Sequence, residues 1–78
     1  VDAKIRKNIK AAINGSPRNG YVVELHAQIL KYAAQLQDVN GKEFCEALEI
    51  GKAYGTEFSK MMKLAHRLEN TGLNAAKI

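Results

Sequence analysis

Residues Asn40 to Leu73, NGKEFCEALEIGKAYGTEFSKMMKLAHRLENTGL, hold the pattern that most narrows the fold of this chain. Asn40-Gly41-Lys42-Glu43 has the form of a capping box, in which the Asn40 side chain accepts the Glu43 backbone N–H and Glu43 reaches back. The spacing then predicts a short helix with Phe44, Cys45 and Leu48 inward and Ile50 closing behind it. Gly51-Lys52-Ala53-Tyr54-Gly55 is the break, and Gly55 frees the chain to change direction. Thr56 fits the N-cap of a longer helix running to about Asn70. On it Phe58, Met61, Met62, Ala65 and Leu68 make one apolar stripe, with Leu64 at the edge. Gly72 fits a helix C-cap, and Leu73 can pack back on the last turn.

The remainder is also helical in pattern. Asp2–Ile13 carries Ile5, Ile9, Ala12 and Ile13 at helical spacing, with Lys4, Arg6, Lys7 and Lys10 on the other side. Asn14–Gly20 is the strongest loop signal, and Pro17 pushes Ser16 out of the helical region. Tyr21–Leu36 reads as the second helix, with Val22, Leu25, Ile29, Ala33 and Leu36 as its stripe and Leu30 beside it. Its opening Tyr21-Val22-Val23 has strand propensity, so a short extended start is the alternative there. The expectation is an all-α fold, a small four-helix domain over residues 1–78 with no internal repeat. Ile5, Ile9, Leu25, Ile29, Leu30, Phe44, Leu48, Phe58, Met61 and Leu68 are its expected core. A chain of 78 residues buries a thin core worth only about 3–5 kcal/mol.

Charge narrows the function. The net charge is +4, but residues 1–20 carry +4, residues 21–60 carry −2 and residues 61–78 carry +2. Two basic ends flank an acidic middle, and a phosphate backbone is the partner that explains this most economically. The plainer reading is a charge that serves solubility. The lone Cys45 has no disulfide partner in the chain and falls on an apolar face, as a buried structural thiol does. No apolar run is long enough to cross a bilayer and no signal peptide is visible, so a cytoplasmic location is expected.

The last long helix carries the sharpest constellation. With Phe58 facing inward, a turn of about 100° per residue puts Thr56, Lys60, Lys63 and Arg67 on the opposite face, with Ser59 toward its edge. That face has three cations and no anion. Short hydroxyls near a helix N-terminus can approach base edges, and Lys or Arg further along can hold phosphates. The bland counterpart is the solvated outer face that any amphipathic helix has.

These residues resemble the helix-turn-helix unit of small bacterial and phage DNA-binding proteins, with a recognition helix of the winged-helix type. Phe44-Cys45-Glu46-Ala47-Leu48 stands where such proteins have Leu-Ala-x-x-Leu, and Ile50 where they have an apolar residue after the turn. Arg67-Leu68-Glu69, followed by Gly72-Leu73, is similar to the ending of their recognition helices, and Tyr54–Met61 is similar to a signature of helix-turn-helix-like proteins. Glu49 departs from the pattern by standing where a turn Gly is usual, the break is longer than the tight turn, and the residues after Leu73 leave no room for a β-wing. The resemblance implies sequence-specific binding of double-stranded DNA by a small transcriptional regulator. The DNA-contacting set expected is Lys52, Tyr54, Thr56, Ser59, Lys60, Lys63, Arg67 and Arg18. A homodimer joined through helix one or two is expected too, because two-fold readers gain by pairing half-sites.

Other constellations are weaker. His26 and His66 lack the companions of a metal site, and no cofactor or metal is expected. No activated nucleophile or pair of opposed carboxylates stands out, so no enzyme is expected. Glu43, Glu46 and Glu49 make an acidic row, usually a solvated face, but one that would also suit a protein partner. A protein-interaction module, such as a phage inhibitor or an adaptor of a larger enzyme, is therefore the alternative function. Tyr54 either bonds a phosphate or covers the end of the core. Lys4, Arg6, Lys7 and Lys10 suit a membrane surface poorly, since their helix lacks Trp, Phe and Leu. With Arg18 they offer a second phosphate contact instead.

Overall fold

The computed structural model describes residues 1–72. Four α-helices appear: α1 (Ala3–Asn14), α2 (Tyr21–Lys31), α3 (Gly41–Leu48) and α4 (Tyr54–Asn70). There is no strand among the described residues. α4 packs on α2 and α3, and α1 packs on α2 and, less extensively, on α3. The fold is all-α, as the periodicity predicts.

Each helix start has a local cause. Asp2 caps α1, its carboxylate accepting the N–H groups of Lys4 at 2.8 Å and Ile5 at 3.3 Å. Pro17 leads into a 3-10 turn, Arg18–Gly20, that runs directly into α2. Tyr21 is therefore helical, and the alternative of an extended start is not what forms. Here packing overrides strand propensity, because the Tyr21 ring settles 5.6 Å from that of Tyr54. Asn40 caps α3 by accepting the Glu43 N–H at 2.8 Å. Only that half of the expected capping box forms.

The second helix is shorter than its stripe suggests. α2 stops at Lys31, and a 3-10 turn, Ala33–Leu36, follows. A three-residue period stacks Ala33 and Leu36 on one side, and both are buried. Val22, assigned to the apolar stripe, is 42 % exposed instead. Thr56 is not the N-cap of α4: the helix begins two residues earlier, at Tyr54. The carbonyls of Gly51 and Lys52 accept the first N–H groups, of Tyr54 and Gly55, at 3.1 and 3.0 Å. The turn backbone does the capping, which leaves Thr56 in the first turn with its side chain outward.

The core holds Ile9, Ile13, Leu25, Ile29, Leu36, Phe44, Leu48 and Phe58. Of the expected core, Ile5, Leu30, Met61 and Leu68 are half-buried. No polar or charged side chain is buried among the described residues. Gly72 takes a left-handed φ of 86° just past α4, as a helix-ending glycine does. The expected packing of Leu73 falls outside the described residues.

α3 and α4 each carry a Gly-x-Glu-Phe run near their N-termini. Gly41-Lys42-Glu43-Phe44 opens α3, and Gly55-Thr56-Glu57-Phe58 begins at the second residue of α4. The two glycines meet backbone to backbone. A Cβ on Gly41 would lie 2.8 Å from the Gly55 carbonyl oxygen. One turn further on, Phe44 and Phe58 stack with ring centroids 4.5 Å apart at 26°.

The clearance is unequal, which gives a test. A Cβ on Gly55 would sit 3.6 Å from Gly41, an ordinary contact. Gly41→Ala is therefore expected to destabilise by about 1–3 kcal/mol through forced separation of two backbones. Gly55→Ala should be neutral or stabilising by up to about 1 kcal/mol, since Ala is the better helix former. Urea denaturation followed by circular dichroism separates the two, and equal losses would mean that the crossing is looser than described.

Candidate nucleic-acid interface

The outward face of α4 follows from how the helix is seated. Phe58 and Ala65 are buried, and Met61, Met62 and Leu68 are half-buried. That anchoring leaves Thr56, Ser59, Lys60, Lys63 and Arg67 exposed together along one side. Glu57, in the first turn of α4, turns toward α2, where its carboxylate lies 3.1 Å from Nε2 of His26. His26 has no acidic neighbour three or four residues away on its own helix; the tie exists because α2 packs on α4.

A groove runs along the α3 side of this face. At one end Lys42 and Glu46 of α3 oppose Lys52, Thr56 and Ser59, with Cys45 and Ile50 also lining it. At the other end Lys63, Met62 and His66 face Val39 and Asn40. Gly41 and Ser59 line both ends, so the glycine crossing is the waist of the groove. Lys42 and His66 were not among the expected contacts. Their signal was only positional, one following the first glycine of α3 and the other lying three residues past Lys63.

The remaining expected residues divide. Lys52 is exposed in the five-residue connection, Glu49–Ala53, beside Thr56. Tyr54 is half-buried, its ring against Tyr21 and the core. Packing favours the core-covering role for its ring. Arg18 lies apart from the α3-side groove, in a separate one that it shares with Pro17, Tyr21 and Tyr54. The five α4 residues are thus exposed along one side with Lys52 by Thr56, and Arg18 lines a different groove.

Burial raises the Tyr21 hydroxyl pKa, with smaller contributions from Tyr54 and Cys45. Burial also raises that of Cys45, which keeps it a thiol. Among the described residues no group of three or more His, Cys, Asp or Glu side chains is placed to hold a metal ion. No helix of the described residues is long and apolar enough to cross a membrane.

The turn itself carries an unexpected residue in an unexpected state. Glu49 is left-handed, with φ 58° and ψ 41°, where a glycine would be unstrained. Its N–H donates to the Glu46 carbonyl at 3.2 Å and the Ile50 N–H to the Cys45 carbonyl at 3.1 Å. That pair of bonds is the Schellman ending of a helix. The side chain is held as well: Lys10 of α1 donates from Nζ to Oε1 at 2.9 Å.

The chain belongs to the HTH-like domain family, whose model matches residues 1–71. No match was found among curated proteins or among solved structures.

The ion pair has a pH signature. The hydrogen bond and charge of Lys10, with a smaller contribution from Arg6, hold the Glu49 carboxyl below its ordinary 4.5. A depressed carboxyl contributes stability that is complete above the unfolded-state value and is lost as pH falls through the folded one. The urea midpoint of the wild type should therefore converge on that of Glu49→Gln as pH drops below 4.5. The gap should be small, because the pair is solvent-exposed. A constant gap from pH 7 to pH 3 would mean that the pair does not persist in solution.

Proposed function

We propose that this HTH-like domain binds double-stranded DNA sequence-specifically as a small transcriptional regulator, with α4 as its recognition helix. One observation carries the reading: Thr56, Ser59, Lys60, Lys63 and Arg67 are exposed together on α4, and Glu57, the carboxylate in the first turn of that helix, is turned toward His26. Thr56 and Ser59 stand in the first turns, where they can approach base edges in the major groove. Lys60, Lys63 and Arg67 follow them and supply phosphate contacts. Lys52 extends the basic surface at the turn, and Arg18 with the Tyr54 hydroxyl supplies contacts beyond the helix N-terminus. The mechanism is non-covalent recognition of DNA in the cytoplasm, with no cofactor.

The acidic row favours a second reading, that of a protein-interaction module. Glu43 and Glu46 are exposed, and Glu46 lines the same groove as Thr56 and Ser59. Salt and substitution separate the readings. DNA binding loses affinity steeply as salt rises and is lost with Lys60 and Lys63, whereas a protein contact through the acidic row is lost in Glu43→Gln/Glu46→Gln. We also propose that two copies pair to read two half-sites. Of the two helices expected to join them, α2 presents Val22 and Val23 at 42 % and 72 % exposure. Analytical ultracentrifugation should show a dimer with DNA at micromolar protein, and Val23→Glu should abolish it. Monomers throughout would remove the pairing without touching the recognition helix.

The central test is selection of bound sequences from random duplexes, followed by titrations of variants on the selected site. Lys60→Ala and Lys63→Ala should each weaken binding and flatten the slope of log affinity against log salt by about 0.9. Where either lysine reads guanine instead, its loss should cost about 1–3 kcal/mol and relax one base position. Thr56 and Ser59 substitutions should change sequence preference more than affinity. Glu46→Ala is the control and should not weaken binding. A folded Lys60→Ala/Lys63→Ala double variant that binds like wild type would transfer the weight to the protein-interaction reading.

A further inference from the structure

The basic N-terminal segment offers four cations on α1, and the fold treats them differently. Ile5, Ile9 and Ile13 turn that helix inward. At about 100° per residue, Arg6 and Lys10 then share one flank, and Lys4 points away from both. The flank faces α3, because Lys10 Nζ reaches Glu49 Oε1 at 2.9 Å. Asn8 marks the opposite flank, donating to the Tyr32 hydroxyl of the segment after α2 at 3.2 Å. Glu49 in turn lines the groove beside α4 with Lys42, Lys52 and Thr56. The Lys10 ammonium therefore stands at the rim of the surface that the reading above assigns to DNA, although α1 and α4 are far apart in sequence.

We infer that Arg6 and Lys10 form a second phosphate clamp for the duplex that receives α4, and that Glu49 competes with the DNA backbone for Lys10. The inference rests on the DNA reading and specifies which strand-edge contacts accompany it. In the free protein Glu49 holds Lys10 at the rim. The side chains of this pair are 36 % and 75 % exposed, for Lys10 and Glu49, so breaking it costs little. A phosphate oxygen offers Lys10 an equivalent charge-assisted bond. Arg6, one turn earlier on the same flank, adds a planar donor suited to the neighbouring phosphate. The bonds from the Glu49 and Ile50 N–H groups fix the turn backbone from which the competing carboxylate projects.

The test uses the full chain and its selected duplex, with helicity and urea midpoint checked for each variant. Arg6→Ala and Lys10→Ala should each flatten the salt slope by about 0.9 and lower affinity on the order of fivefold at low salt. Lys4, which charge alone groups with them, points away from this flank, so Lys4→Ala should leave the slope unchanged. Glu49→Gln should raise affinity by up to about fivefold by freeing Lys10. Equal effects of Lys4→Ala and Lys10→Ala would overturn the clamp in favour of diffuse charge, and weaker binding by Glu49→Gln would overturn the competition. Loss of binding in Lys60→Ala/Lys63→Ala, with Arg6→Ala and Lys10→Ala matching Lys4→Ala, would sink this inference alone. Wild-type binding by the Lys60→Ala/Lys63→Ala variant, or no duplex binding by the wild type, would sink the DNA reading and the clamp together.

Discussion

The approach of Gly41 to Gly55 sets the geometry on which the rest of the molecule depends. Helix backbones usually stay separated by the side chains between them. Here no side chain intervenes, and a Cβ at Gly41 would fall within 2.8 Å of a carbonyl oxygen. The contact brings the first turns of α3 and α4 together and allows Phe44 and Phe58, each three residues on, to stack at 4.5 Å. With that stack in the core, the opposite side of α4 has to face solvent. The exposure of Thr56, Lys60 and Lys63 is thus a consequence of two glycines and two rings.

Polar contacts do a different job. No polar side chain is buried among the described residues, so the centre is held by apolar packing alone. The cross-chain polar ties lie at the rim: Asn8 to Tyr32, Lys10 to Glu49 and His26 to Glu57. Each joins a different pair of segments. Apolar packing is non-directional, whereas a hydrogen bond has a preferred distance and angle. Three directional contacts at the edge therefore help select one register for helices that a greasy core would tolerate in several. The tie to Glu57 also moves a carboxylate to the margin of the α4 face, which joins fold and proposed function.

Much of the helix content was legible because it rests on short-range chemistry. Asp2 and Asn40 announce helix starts through their side chains, and the spacing of Ile9, Ile13, Leu25, Ile29, Phe44 and Phe58 marks the inward faces. The misreadings share one cause. Val22 continues a stripe in sequence, yet a stripe says nothing about where its neighbour ends. Thr56 looks like a cap, yet the carbonyls of Gly51 and Lys52 already do that work. Tyr21-Val22-Val23 has strand propensity, yet no second strand is present among the described residues to pair with it. In the candidate interface, the α4 residues were legible from helical angle alone. Arg18 was grouped with them by charge, and only the fold shows that it occupies a separate groove.

By itself the sequence determined what is local: four helices, their inward faces, the position of the break and a basic outward side on the last helix. These follow from side-chain capping and from a period of 3.6 residues, which act within a few positions. Tertiary structure alone decided which cations keep company with which carboxylates. Lys10 and Glu49 are 39 residues apart, and His26 and Glu57 are 31 apart. Their pairing depends on helix crossings that no local pattern encodes. The left-handed Glu49 belongs to the same class. Its sequence context marks it only as a residue where glycine is usual, and it takes that conformation because Ile50 must turn back onto the core.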